Sequence, residues 1–158
     1  MHVFPSEIDR SSLKPHIDHS GPRMSPKWAM ECLEQRGWDE CCLPMKMSTM
    51  HYLTPVPDAR HGATVVWPRS HTLLGTLIAS DPIEYARSDV RHRSIFKTVG
   101  ARLAEAGVFG VDPVKVIVGA GDVMFADMML VHAGSLNNSS DVRLAFNMKI
   151  GPRGQRCK

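Results

Sequence analysis

The chain has 158 residues, 43% hydrophobic and 22% charged, with a formal net charge of +3. That composition fits a single globular domain, residues 1–158, with apolar material enough for a core. It leaves no apolar run long enough for a membrane span, and its scattered basic residues argue against nucleic acid.

The N-terminus MHVFPSEIDRSS lacks the basic and apolar regions of a secretory leader. Cys32, Cys41, Cys42 and Cys157 form no C-x-x-C pair. They read as reduced thiols, which predicts a cytoplasmic protein.

In chain order, Ser25 caps a predicted helix over SPKWAMECLEQRG, with Pro26 at its first position and Gly37 at its end. MKMSTMHYLTPV reads as a strand ending near Pro55, and GATVVWP as a short strand closed by Pro68. Ser80 then caps a turn over DPIEYA. Ser88 caps a longer helix on which Ile95, Val99 and Leu103 form an apolar stripe, ended by Gly107. VKVIVGAGDVMFADMMLVHAG gives two strand runs punctuated by Gly119 and Gly121. LNNSSDV is a turn by composition, and RLAFNMKI, opened by Arg143, is a final strand. Strands on both sides of a helical insertion predict a mainly β fold with helices, a sandwich or barrel.

The chemistry concentrates in LKPHIDHSGP. On an extended segment, positions i and i+2 point to one side, so His16 and Asp18 can face one metal ion. H-x-D alone is short and arises by chance. The third ligand is His132, at the end of an apolar run and just before a glycine. Two histidines and one carboxylate make the facial triad of non-haem Fe(II) oxygenases, which leaves metal positions open for a co-substrate and dioxygen. Arg143 follows a short distance beyond His132. Its planar fork suits a carboxylate.

Other conspicuous residues have plainer readings. His71 stabilises a turn, His19 is an exposed neighbour of the triad, and His51, His61 and His92 belong to loops, strands or solvated surface. Trp67 is core, Trp28 and Trp38 pack beside the first helix, and PMKMSTM is adaptable packing. Arg69 and Lys149 are surface charges. Thr64 and Tyr52 face the co-substrate if their strands hold the expected register.

Four stretches, in order, resemble the phytanoyl-CoA dioxygenase superfamily of Fe(II)/2-oxoglutarate-dependent oxygenases. They are PHIDHSGP, YLTPVPDARHGATVVWPRSH, GAGDVMFADMMLVHAGSLNNSSDVR and RLAFNMKI. The resemblance implies a double-stranded β-helix, or jelly roll. It implies His16, Asp18 and His132 as iron ligands, and Arg143 as the anchor of 2-oxoglutarate, assisted by Thr64 and Ser135. The implied reaction hydroxylates a small-molecule substrate and converts 2-oxoglutarate to succinate and carbon dioxide. The carboxylate of Asp18 favours hydroxylation, because halogenating members lack it.

The chain departs from the family in three places. The usual Pro-Gly-Ser-His turn reads Pro68-Arg69-Ser70-His71, which removes the residue that tolerates positive φ. Gly134 stands where a Ser or Thr often assists the arginine, leaving Ser135 to compensate. Only fifteen residues precede His16, so the expectation is a jelly roll without its N-terminal strand and helices. The sheet edge thereby uncovered is a route to a homodimer. Two rivals stand beside the hydroxylase: a truncated, non-catalytic relative that keeps the fold, and a cupin-like metal-binding domain that has no use for Arg143.

Overall fold

The computed structural model describes residues 15–18, 47–80 and 101–150. Within them the chain forms six strands: β1 (Met47–Tyr52), β2 (Thr64–Val66), β3 (Val114–Val116), β4 (Val123–Asp127), β5 (His132–Gly134) and β6 (Ala145–Ile150). A helix, α1 (Ser70–Ser80), follows β2, and a single 3-10 turn spans Val108–Gly110.

The strands make two antiparallel sheets, ordered β4-β1-β6 and β3-β2-β5. The chain alternates between them rather than finishing one before starting the other. That is the topology of a jelly roll, as the sequence predicts. Loops extend the ladders: Val56 bridges Val118, and His61 bridges Asn137. A further bridge joins His16 to His132 and lays the His16–Asp18 segment along the edge of the second sheet.

Among the described residues, two apolar clusters hold this arrangement. Tyr52, Val56 and Ala63 are buried with Met50, Val118, Met124 and Ala145 packed on them. Met50, Tyr52, Met124 and Ala145 share the face of the first sheet that Ser48 also lies on, because side chains alternate along a strand. The second cluster joins Val65, Trp67, Val131 and Ala133 to Leu74, Leu103 and Val108. Its residues on β2 and β5 are the alternates of Thr64 and His132, so this cluster packs the opposite face of the second sheet. Trp67 meets Phe109 edge-on, with centroids 5.7 Å apart.

Helix α1 lies in a stretch that sequence reasoning left unassigned. Arg69 adopts φ 67, the one positive-φ non-glycine among the described residues. The turn therefore keeps the left-handed geometry that glycine ordinarily supplies, and α1 begins on the next residue. Ser70 fixes this start: its buried hydroxyl accepts the Val131 N–H at 2.9 Å. Ser80 is no N-cap. It ends α1 and donates its hydroxyl to the Leu77 carbonyl at 2.7 Å. His71, expected in a turn, sits in the first turn of α1.

Residues 101–105 are helical, with Leu103 fully buried, and Gly107 at φ +79 ends the run as expected. Arg143 lies two residues ahead of β6 rather than opening it. The predicted helices over 25–37 and 81–100 lie outside the described residues, as do His19, His92, Trp28, Trp38 and the four cysteines. Among the described residues no helix is long and apolar enough to cross a membrane.

Leu74 joins α1 to the second sheet and has no exposed surface. Leu74→Ala is expected to cost about 2–5 kcal/mol, read as a lower urea midpoint at unchanged slope.

Candidate metal centre

The His16–His132 bridge is a pair of backbone hydrogen bonds, each 2.9 Å, from either N–H to the opposite carbonyl. It sets the two imidazoles beside each other, with ring centroids 4.3 Å apart and planes tilted by 52°. Asp18, two residues on, turns its carboxylate to the same place. One ligand atom from each of His16, Asp18 and His132 lies within 4.8 Å of the other two. These three are the only such group of His, Cys, Asp or Glu among the described residues.

The backbone orients the His132 ring. His132 Nδ1 bonds the Leu130 carbonyl at 2.9 Å, and a carbonyl only accepts. Nδ1 therefore carries a proton in either charge state, and Nε2 faces Asp18 Oδ1 at 3.6 Å, protonated toward that carboxylate in the cation and offering a lone pair in the neutral ring. This carbonyl-fixed tautomer is a common device for orienting a histidine ligand. Two imidazole nitrogens and a carboxylate oxygen suit Fe(II).

Asp18 carries more partners than sequence reasoning assigned. Its Oδ2 is held by Lys149 Nζ, by Ser48 Oγ at 3.2 Å and by Asn147 Nδ2 at 3.3 Å. Lys149 is exposed, in keeping with a surface charge, and pairs with Asp18 as well. Its placement follows from register: it lies opposite Ser48 on the β1–β6 ladder, and Asn147 lies opposite Met50, so all share one face. The period-two spacing of Asn147 and Lys149 in RLAFNMKI carried that signal. Nothing local tied it to Asp18.

These contacts shift both titrating groups. The protonated His132 ring facing it, aided by Lys149 and opposed by burial, holds the Asp18 carboxyl far below the usual carboxylate range. Burial disfavours the His132 cation, but the hydrogen bond and charge of Asp18 and the Leu130 carbonyl outweigh it and raise the pKa.

A second polar group lies along the same inner face. Val66 pairs with His132 and Thr64 with Gly134, so Thr64 and His132 share a face about 7 Å apart along the strand. Thr64 Oγ1 accepts from Arg143 Nη2 at 3.1 Å and bonds Tyr52 Oη at 3.1 Å. The Arg143 guanidinium sits over the Tyr52 ring, 5.7 Å from its centroid. Its Nε is buried and has no hydrogen-bond partner. An orphaned buried guanidinium donor is costly to leave unpaired, and a carboxylate is its natural complement. Ser135 does not reach Arg143. Its hydroxyl donates to the Ala63 carbonyl at 2.8 Å, so the hydroxyl on Arg143 is that of Thr64.

Gly62 sets the space for Arg143. It holds φ +72, and a Cβ there would meet Asn137 Cβ at 3.2 Å and Arg143 Cδ at 3.4 Å. The loop around it is pinned by His61, whose Nδ1 and Nε2 meet Asp58 at 2.8 Å and Asp141 at 3.3 Å.

No family model matches the chain, and no curated protein matches it. Two similar solved structures are the non-haem α-ketoglutarate-dependent epimerase SnoN and carbocyclase SnoK, both of nogalamycin biosynthesis. SnoN is 18% identical, with a TM-score of 0.47, over 85% of this chain and 36% of its own. SnoK is 22% identical, with a TM-score of 0.49, over 85% of this chain and 41% of its own. The chain thus spans well under half the length of either.

Two outcomes follow. The depressed Asp18 pKa gives stability that is present above the ordinary carboxylate value of 3.8 and lost as pH falls through the depressed one. The raised His132 pKa gives stability that is present below 6.5 and lost as pH rises through the raised value. Metal-free protein should therefore lose stability as pH rises from 6.5 through the raised value, and Asp18→Asn should flatten that slope in thermal melts across pH. Divalent metal affinity should rise with pH over the same interval, because imidazolium must shed its proton to ligate. Separately, Gly62→Ala should cost about 1–2 kcal/mol through its left-handed backbone, read as a lowered melting temperature.

Proposed function

We propose that the chain is an Fe(II)/2-oxoglutarate-dependent dioxygenase acting on a small molecule, of the phytanoyl-CoA dioxygenase type. His16, Asp18 and His132 would hold the iron. Arg143, with Thr64, would bind the distal carboxylate of 2-oxoglutarate. The observation that carries this reading is the pairing of two sites on one inner face: a three-donor cluster, and a buried Arg143 Nε without a partner. A plain cupin-like metal domain has no need of the second.

When bound, the iron and keto acid supply the oxidising chemistry, and succinate and carbon dioxide are the co-products. The protein's own part is positional. The backbone bridge fixes the spacing of the two histidines, and the Leu130 carbonyl keeps His132 Nε2 aimed inward. Arg143 offers a charge-assisted fork to a carboxylate, and Tyr52 and Thr64 hold that fork still. The two sheets flank the space where substrate would sit.

A non-catalytic relative is favoured by one observation. Lys149, Ser48 and Asn147 all engage Asp18 Oδ2, a set of contacts sufficient to hold the carboxylate in a purely structural role.

Anaerobic titration of Fe(II) with 2-oxoglutarate separates the two. The dioxygenase gives the weak visible charge-transfer band of a chelated keto acid. His16→Ala abolishes it, and Arg143→Ala raises the 2-oxoglutarate needed by about 10- to 150-fold, the loss of roughly 1.5–3 kcal/mol from bonds to a charged group. A folded chain with no band is the non-catalytic relative.

A further inference from the structure

Resting on the metal-centre reading above, we propose that Lys149, Asn147 and Ser48 are positioning residues that restrict Asp18 to a single ligating oxygen. The two oxygens of Asp18 are treated differently. Oδ2 receives Lys149 Nζ, Asn147 Nδ2 at 3.3 Å and Ser48 Oγ at 3.2 Å. The Ser48 hydroxyl proton is shared with Asn147 Oδ1, at 2.9 Å. A carboxylate has about four lone-pair positions over its two oxygens, so these donors fill Oδ2. Oδ1 is turned to the other sheet, toward His132 Nε2 at 3.6 Å.

The three donors also share an origin. Ser48 is on β1, and Asn147 and Lys149 are on β6, on one face of the first sheet. Asp18 is carried by a segment bridged to the second sheet through His16 and His132. The clamp therefore crosses the gap between the sheets and decides which oxygen faces each side.

Denticity has a chemical consequence. An octahedral ion held by two imidazoles and one carboxylate oxygen keeps about three exchangeable positions. A chelating keto acid takes two and leaves one. If Oδ2 also ligated, that remaining position would close. Lys149 thus acts on the site through Asp18 and touches no reactant itself.

The test loads the purified chain with Mn(II) and counts exchangeable metal-bound waters by water-proton relaxation, which reads coordination rather than turnover. Lys149 and Asn147 lie on the surface, so substitution leaves both apolar clusters intact. Wild type and K149R are expected to keep about three waters, and K149M to lose about one. N147A is expected to shift the count the same way by less. Unchanged counts in both K149M and N147A overturn the clamp while leaving the metal centre standing. A wild-type chain that binds no Mn(II) overturns the metal-centre reading, and the clamp with it.

Discussion

Everything at this site depends on two backbone hydrogen bonds between His16 and His132. They join positions more than a hundred residues apart and decide which side chains meet. Strand side chains alternate, so a slip of one residue would send both imidazoles to the opposite face. The register is held from the other side by Val65, Val131 and Ala133, which bury on the reverse of the same ladder. The core thus fixes the site geometry without touching it.

The same alternation supplies the rest of the inner face. From the second sheet come His132 and, one pair along, Thr64. From the first come Ser48, Asn147, Lys149 and Tyr52. Two charged groups are brought to this interior, each with polar company. Arg143 has Thr64 and the face of Tyr52, and an Nε left over. Asp18 has a basic group on either side, His132 and Lys149. On the proposed function, a metal ion entering beside His132 would exchange the imidazolium charge for its own. Proton and metal would then compete there, with the Lys149 contact to Oδ2 kept.

Local chemistry explains how much was legible in the sequence. The β-branched run at Thr64–Val66, the Gly107 stop and the final strand are written in short windows, and the fold keeps them. The three-donor cluster was readable as two residues at i, i+2 and a histidine closing an apolar run. What failed was anything needing partner identity. Lys149 is a surface charge, as its sequence context suggests, but its pairing with Asp18 is not legible there because the register that places it opposite Ser48 spans about a hundred residues. Ser135 looked like an arginine partner because its nearness in sequence to His132 hid its bond to Ala63. Helix α1 was missed because Arg69 supplies a left-handed turn that glycine usually announces, so SHTLLGTLIAS carried no start signal.

The central claim is that residues from opposite ends of the chain make one metal centre. Co(II) titration of the metal-free protein, followed by its ligand-field absorption, tests this most directly. The account predicts a single Co(II) per chain in wild type, and loss of that binding in each of His16→Ala, Asp18→Ala and His132→Ala while the fold survives. Equal binding by wild type and all three variants would contradict it, and would leave the His16–His132 pair as a structural bridge alone.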